Sequence, residues 1–68
     1  MRDKNRLYDF YNVLMDTHIT YVPDWRFGQF CENLFKWIRG EYKVDPFFVE
    51  DDKMKEYIDR FITTMHKE

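Results

Sequence analysis

The chain has 68 residues, a formal net charge of −2 and an aromatic content of 21%. Its length predicts one domain, residues 1–68, and a domain this small buries only ~60% of its unfolded surface. Large aromatic side chains must therefore supply much of the core. The near-balanced charge disfavours long-range attraction to nucleic acid or to an anionic membrane.

Cysteine usage and hydropathy narrow the class of protein further. Cys31 is the only cysteine, which excludes an intrachain disulfide and favours a reducing compartment. The chain shows neither a signal-peptide pattern nor an apolar run of ~18 residues, so we expect a cytoplasmic protein without a membrane span. The remaining soft ligands, His18 and His66, have no ligand-pair spacing with Cys31, so we expect no metal or other cofactor.

Residues 4–16 are predicted to form the first helix, with Asp3 placed to cap its exposed amides. Its apolar side chains have the spacing of one helical face: Leu7, Phe10, Tyr11 and Leu14. Residues 17–22 are rich in β-branched and aromatic side chains and precede Pro23. Both features favour extended backbone, so this segment is predicted to be a loop packed on the core.

Residues 25–39 are predicted to form the second helix, with Asp24 as its capping residue. Its apolar stripe comprises Phe27, Phe30, Cys31, Leu34 and Ile38. Gly28 lies in the first turn, where we expect it to allow the close approach of another backbone. Gly40 is predicted to end the helix in a left-handed conformation.

Residues 41–49 are predicted to form the second connection, in which the Asp45-Pro46 pair starts a turn. Phe47 and Phe48 are strongly apolar, so we expect them to cover one end of the bundle. The third helix is predicted to begin at Glu50 or Asp51. Its stripe comprises Met54, Tyr57, Ile58, Phe61, Ile62 and Met65. The sequence thus predicts an all-α fold, a small three-helix bundle with an ordered aromatic loop before the third helix.

Few residues point to catalysis. Serine is absent and the only glycines are Gly28 and Gly40, so neither a serine nucleophile nor a glycine-rich phosphate loop is present. Cys31 lies on an apolar stripe, where cysteine usually behaves as a small hydrophobic side chain. A thiol enzyme using Cys31 is a remote alternative, and we expect a non-enzymatic protein without catalytic residues.

Two features suggest a protein partner. The aromatic surplus leaves some rings near the surface, where Trp and Tyr are enriched at binding hot spots, although a small domain also exposes aromatic edges without any function. Residues 41–52 carry five acidic residues and one basic residue, which indicates either a docking patch or only a loop and helix cap. The candidate partner-binding residues are Trp25, Phe35, Trp37, Tyr42, Glu50, Asp51 and Asp52.

A second, polar set suggests a different function. The spacing i, i+3, i+7 and i+10 places four side chains on one side of the second helix: Arg26, Gln29, Asn33 and Lys36. Such residue types contact base edges and phosphates. The acidic balance of the chain and the length of its connections count against DNA binding, which remains the alternative function, while a solvated helix face is the simplest interpretation.

Three phrases resemble a family of short, uncharacterised bacterial and phage proteins: Met1-Arg2-Asp3 with Arg6, Asp24-Trp25-Arg26-Phe27-Gly28-Gln29, and Asp45-Pro46-Phe47-Phe48 with Glu50-Asp51-Asp52. Where that family has proline after its first phrase, this chain has Lys4. The resemblance implies no activity or cofactor, but it implies a small intracellular protein that can occur on phages and other mobile elements. Such proteins often bind a host protein.

The expected function is therefore an interaction module that modulates a host enzyme or defence complex. The identity of the partner stays open, as does self-association of the domain.

Overall fold

The computed structural model describes residues 3–66 and contains three α-helices, which we number in chain order. Helix α1 spans Asn5–Tyr21, α2 spans Phe27–Tyr42 and α3 spans Asp51–Met65. A single 3₁₀ turn, Pro46–Phe48, precedes α3 and is called the aromatic turn below. No strand occurs among residues 3–66, and the predicted all-α three-helix bundle is confirmed.

The buried side chains of the core belong to α2 and α3, while the closest pair of helices is α1 with α3. The apolar stripes predicted for the second and third helices supply the buried cluster: Phe30, Leu34, Ile38, Met54, Tyr57, Ile58, Phe61 and Ile62. Within Asn5–Tyr21 no side chain is fully buried. Phe10 and Leu14 of α1 nevertheless pack against the cluster as half-buried residues. The first helix therefore covers the core of the other two without entering it.

Helix α1 begins as predicted but ends later. The Asp3 carboxylate accepts a hydrogen bond of 2.9 Å from the Asn5 amide. The prediction of an extended loop over residues 17–22 is wrong, because the helix continues to Tyr21. The low helix propensity of β-branched residues costs only a few tenths of a kcal/mol each. The His18 ring offsets that cost by packing 5.1 Å from the Phe30 ring and donating to the Trp25 carbonyl oxygen over 2.7 Å.

Helix α2 begins at Phe27, so the prediction that Asp24 caps it is wrong. Arg26 occupies the capping position, and its backbone amide donates to Gln29 Oε1 over 2.8 Å. The Gly28 prediction is also wrong. A Cβ atom at Gly28 would meet no heavy atom within 4 Å, so this glycine does not serve a close backbone approach.

Gly40 does not end α2, contrary to prediction. The helix runs to Tyr42, and Lys43 takes the left-handed conformation with φ of 58°. Tyr42 gains contacts that favour this extension: its ring stacks on the Tyr57 ring at 4.5 Å, and its hydroxyl oxygen accepts from Arg60 over 3.2 Å. Packing on α3 thus outweighs the cost of a left-handed lysine, which is of order ~1–2 kcal/mol.

Candidate functional site

The four predicted partner-binding aromatics are all half-buried and packed against the core: Trp25, Phe35, Trp37 and Tyr42. The Phe61 ring lies 5.5 Å from the Trp37 ring and 6.3 Å from the Trp25 ring. Much of the surface of these four side chains is therefore already in contact with the core of the domain. Their proposed role in partner binding remains a prediction.

The three predicted acidic partner-binding residues differ in their surroundings. The Arg6 Nε atom lies 2.9 Å from Asp51 Oδ2, which joins α1 to the start of α3. The Asp52 side chain is 99% exposed and its Oδ1 lies 3.9 Å from Lys55 Nζ. Glu50 is exposed beside the aromatic turn. Asp51 is therefore turned towards α1, whereas Glu50 and Asp52 remain on the surface.

The most exposed large apolar side chains lie on the aromatic turn. Phe47 is 84% exposed and Phe48 is 75% exposed, so the prediction that they cover the end of the bundle is wrong. Their rings contact each other edge to face, with centroids 4.9 Å apart. Pro46 alone of this turn is buried. The proline anchors the turn, and both phenyl rings therefore extend into solvent.

Hydrogen bonds fix the turn that carries these rings. Asp45 caps it, because its Oδ1 accepts from the Phe47 amide over 3.0 Å and its carbonyl oxygen accepts from the Phe48 amide over 3.1 Å. The Val49 amide donates to the Pro46 carbonyl oxygen over 3.2 Å. Proline also restricts its own φ angle. The phenyl pair is thus presented on a backbone with little conformational freedom to lose on binding.

An open groove of about 470 Å³ runs beside the turn. Its lining comprises Val44, Asp45, Phe48, Val49, Glu50, Lys53 and Tyr57. Apolar side chains form most of this lining, and its charged members are Asp45, Glu50 and Lys53. Lys53 Nζ approaches Glu56 Oε2 at 3.6 Å. The phenyl pair and this groove together form the candidate site, which we call the turn surface.

The sequence predicted the turn itself but not the direction of its rings. The Asp-Pro pair correctly indicated where the turn begins. The shortness of the turn is one local indication of the direction of its side chains. Two adjacent residues in such a turn cannot both be buried in the same core beside Pro46. The apolar character of Phe47 and Phe48 instead favoured burial of both rings. Their outward direction is evident only from the folded structure.

The alternative nucleic-acid face is exposed, as its residues Arg26, Gln29, Asn33 and Lys36 all lie on the surface. Gln29 already accepts the hydrogen bond that starts α2. Glu32 is exposed on the same helix and adds negative charge near this face. The structure therefore shows an accessible polar surface, and its role in DNA binding remains a prediction.

Cys31 is half-buried in an apolar cleft of about 190 Å³ that is lined by all three helices. The lining of this cleft includes Phe10, Leu14 and Leu34. Burial raises the pKa of the Cys31 thiol above its ordinary value, and the negative charge of Glu32 raises that pKa further. These surroundings disfavour the thiolate, which is the nucleophilic form.

Metal binding and membrane spanning find no support in residues 3–66. No group of three or more His, Cys, Asp or Glu side chains within this range could hold a metal ion. No helix in the same range is both long and apolar enough to cross a bilayer. Comparison with protein families, curated proteins and solved structures gives no match to the chain.

Proposed function

We propose that this domain is a non-enzymatic interaction module that binds a partner protein through the turn surface. The observation that carries the proposal is the exposed phenyl pair on a hydrogen-bonded, proline-anchored turn. Burying one phenylalanine side chain contributes ~1.5–3 kcal/mol relative to leaving it exposed. The two rings together can therefore supply a large part of a specific binding free energy.

The rigidity of the turn supports the same proposal. Ordering a flexible side chain at an interface costs ~0.5–1.5 kcal/mol, and a surface that is already ordered avoids part of that cost. Here Asp45 and Pro46 fix the backbone before any partner arrives. The edge-to-face contact of the two phenyl rings further restricts their rotamers.

The charges around the rings indicate the chemistry of the partner. Asp45 and Glu50 line the groove beside Phe48, and the exposed carboxylate of Asp52 follows in the first turn of α3. Complementary charge accelerates encounter and selects partners. The partner would therefore present an apolar pocket with lysine or arginine at its rim. The resemblance to bacterial and phage proteins suggests a host protein in this role.

Affinity capture from a bacterial lysate tests the phenyl pair. The Phe47→Ala, Phe48→Ala double variant should lose specifically captured proteins, because both anchors are removed from an otherwise folded domain. Tyr21→Ala is the matched control, since it truncates an exposed aromatic side chain outside the turn surface. Equal capture of the same proteins by the double variant and the wild type would rule out this surface.

A charge reversal in the first turn of α3 tests the contribution of the nearby acidic residues separately. Asp52→Lys should weaken capture and reduce its dependence on salt, because it places a cation opposite the basic rim of the partner. Glu32→Lys makes the same charge change on the exposed side of α2 and should leave capture unchanged. A larger loss with Glu32→Lys than with Asp52→Lys would move the binding surface to α2.

A further inference from the structure

A second exposed apolar surface lies on α1, away from the residues that line the turn surface. Between 51% and 69% of each of four side chains is exposed there: Tyr8, Tyr11, Met15 and Ile19. Their spacing of i, i+3, i+7 and i+11 confines them to ~80° of the helix circumference. They form a continuous stripe ~16 Å long, which we call the outer stripe.

The outer stripe continues onto α2. Tyr11 lines one pocket at the N-terminal end of the stripe, with Lys4 and Asn12 as its polar members beside Leu7 and Tyr8. Tyr11 also lines the cleft that contains Cys31, where it is joined by Phe27. Phe27 is itself 60% exposed. The apolar surface thus extends from the outer side of the first helix to the beginning of the second.

We infer that a second copy of this chain covers the outer stripe, with the two α1 helices packed antiparallel about a two-fold axis. Aromatic side chains have accessible areas of ~150–250 Å², so the exposed parts of the stripe and Phe27 total roughly 600 Å² per copy. Complete burial of these side chains in two copies would remove about 1,200 Å² from water, which is the lower limit for a stable, specific protein interface.

The composition of the stripe favours a second copy over a different partner. A two-fold interface places the same surface against itself, so a charged patch would repel its own copy. The outer stripe contains no charged residue. Two bulky rings occupy its N-terminal half and two aliphatic side chains its C-terminal half. An antiparallel arrangement therefore sets Tyr8 and Tyr11 of one copy against Ile19 and Met15 of the other. It also places the positive N-terminal end of each helix dipole beside the negative C-terminal end of the other, which is favourable.

Internal packing of α1 is consistent with such a partner. Within Asn5–Tyr21 no side chain is fully buried, although this helix has 17 residues. Its inner side rests on α3 and the core cluster, and the outer stripe lies on a different side of the helix. A second copy would cover the part of α1 that the first copy leaves in water.

Sedimentation equilibrium of the full chain tests the inference. The apparent mass should rise from the monomer value of 8.6 kDa towards twice that value between ~1 µM and ~1 mM protein, the range expected for a small interface. Met15→Glu should raise the dissociation constant at least ~10-fold, because the two-fold axis brings both new carboxylates into the apolar contact. Glutamate has a helix propensity close to that of methionine, so the helix is preserved.

Two controls separate this surface from the others. Thr20→Glu adds the same charge to an exposed position of α1 outside the stripe and should leave the mass distribution unchanged. The Phe47→Ala, Phe48→Ala variant should also associate like the wild type. A wild-type chain that remains monomeric throughout the range overturns the inference, as does a Met15→Glu variant that associates normally. Loss of association only in the phenylalanine variant would assign self-association to the aromatic turn and would equally overturn it.

Discussion

Truncation of Phe61 should unfold much of this domain, whereas the same truncation at Phe47 should be nearly neutral. Phe61 is 4% exposed, and its ring lies beside those of Trp25 and Trp37. Phenylalanine-to-alanine changes in a packed core cost ~3–5 kcal/mol. The loss of two aromatic contacts places Phe61→Ala near the upper end of that range.

The size of the domain makes this loss decisive. At ~0.05–0.15 kcal/mol per residue, the free energy of unfolding of 68 residues is of order ~3–10 kcal/mol. A loss of ~3–5 kcal/mol therefore leaves a large unfolded fraction, or lowers Tm by at least ~12 °C. Phe47→Ala removes the same atoms from an exposed ring and should change stability by less than ~0.5 kcal/mol.

Urea unfolding followed by tryptophan fluorescence and by circular dichroism measures both variants. Fluorescence reports directly on the altered region because both tryptophan rings neighbour Phe61. An unchanged unfolding midpoint for Phe61→Ala would refute the packing described here. A midpoint lowered more by Phe47→Ala than by Phe61→Ala would instead show that the aromatic turn is part of the core.

Two further predictions concern function. The pKa of the Cys31 thiol is raised by burial and by Glu32, so a thiol reagent should react more slowly with the folded chain than with the denatured chain. The reaction rate of the folded chain should also begin to rise at a higher pH. Equal rates and equal pH profiles in the two states would contradict this prediction. If α2 reads DNA, duplex affinity should fall steeply with salt and should weaken when Arg26 and Lys36 are replaced by alanine. We expect no such binding near physiological salt, and sequence-selective, salt-sensitive binding in a mobility-shift assay would reverse our preference for a protein partner.

The helical periodicity of the sequence predicted the core well in α2 and α3. Phe30, Ile58 and Phe61 were placed correctly, because the apolar stripes of two amphipathic helices pack against each other to bury their side chains. The helix boundaries were predicted less well. Local propensities differ by only tenths of a kcal/mol, so the contacts of His18 and Tyr42 with distant residues decided where α1 and α2 end.

Exposure of individual aromatic residues was the weakest part of the prediction. The sequence placed Phe47 and Phe48 against the end of the bundle, but the structure leaves both exposed. The rings that it placed near the surface, among them Phe35 and Trp37, are half-buried. Hydropathy gives the gain from burying a ring but not whether the fold leaves room for it. On the aromatic turn Pro46 takes the buried position, and that arrangement depends on how the turn meets α2 and α3.

The absence of fully buried side chains from α1 implies an uneven distribution of local stability along the chain. The fully buried side chains Phe30, Ile38 and Ile58 all belong to α2 and α3. Opening of α1 would expose less apolar surface than global unfolding, so its amide hydrogens should exchange through a sub-global fluctuation of lower free energy. A second copy seated on the outer stripe would oppose that fluctuation and slow the exchange. Oligomerisation would thereby control how often the core between α2 and α3 becomes accessible to solvent and proteases.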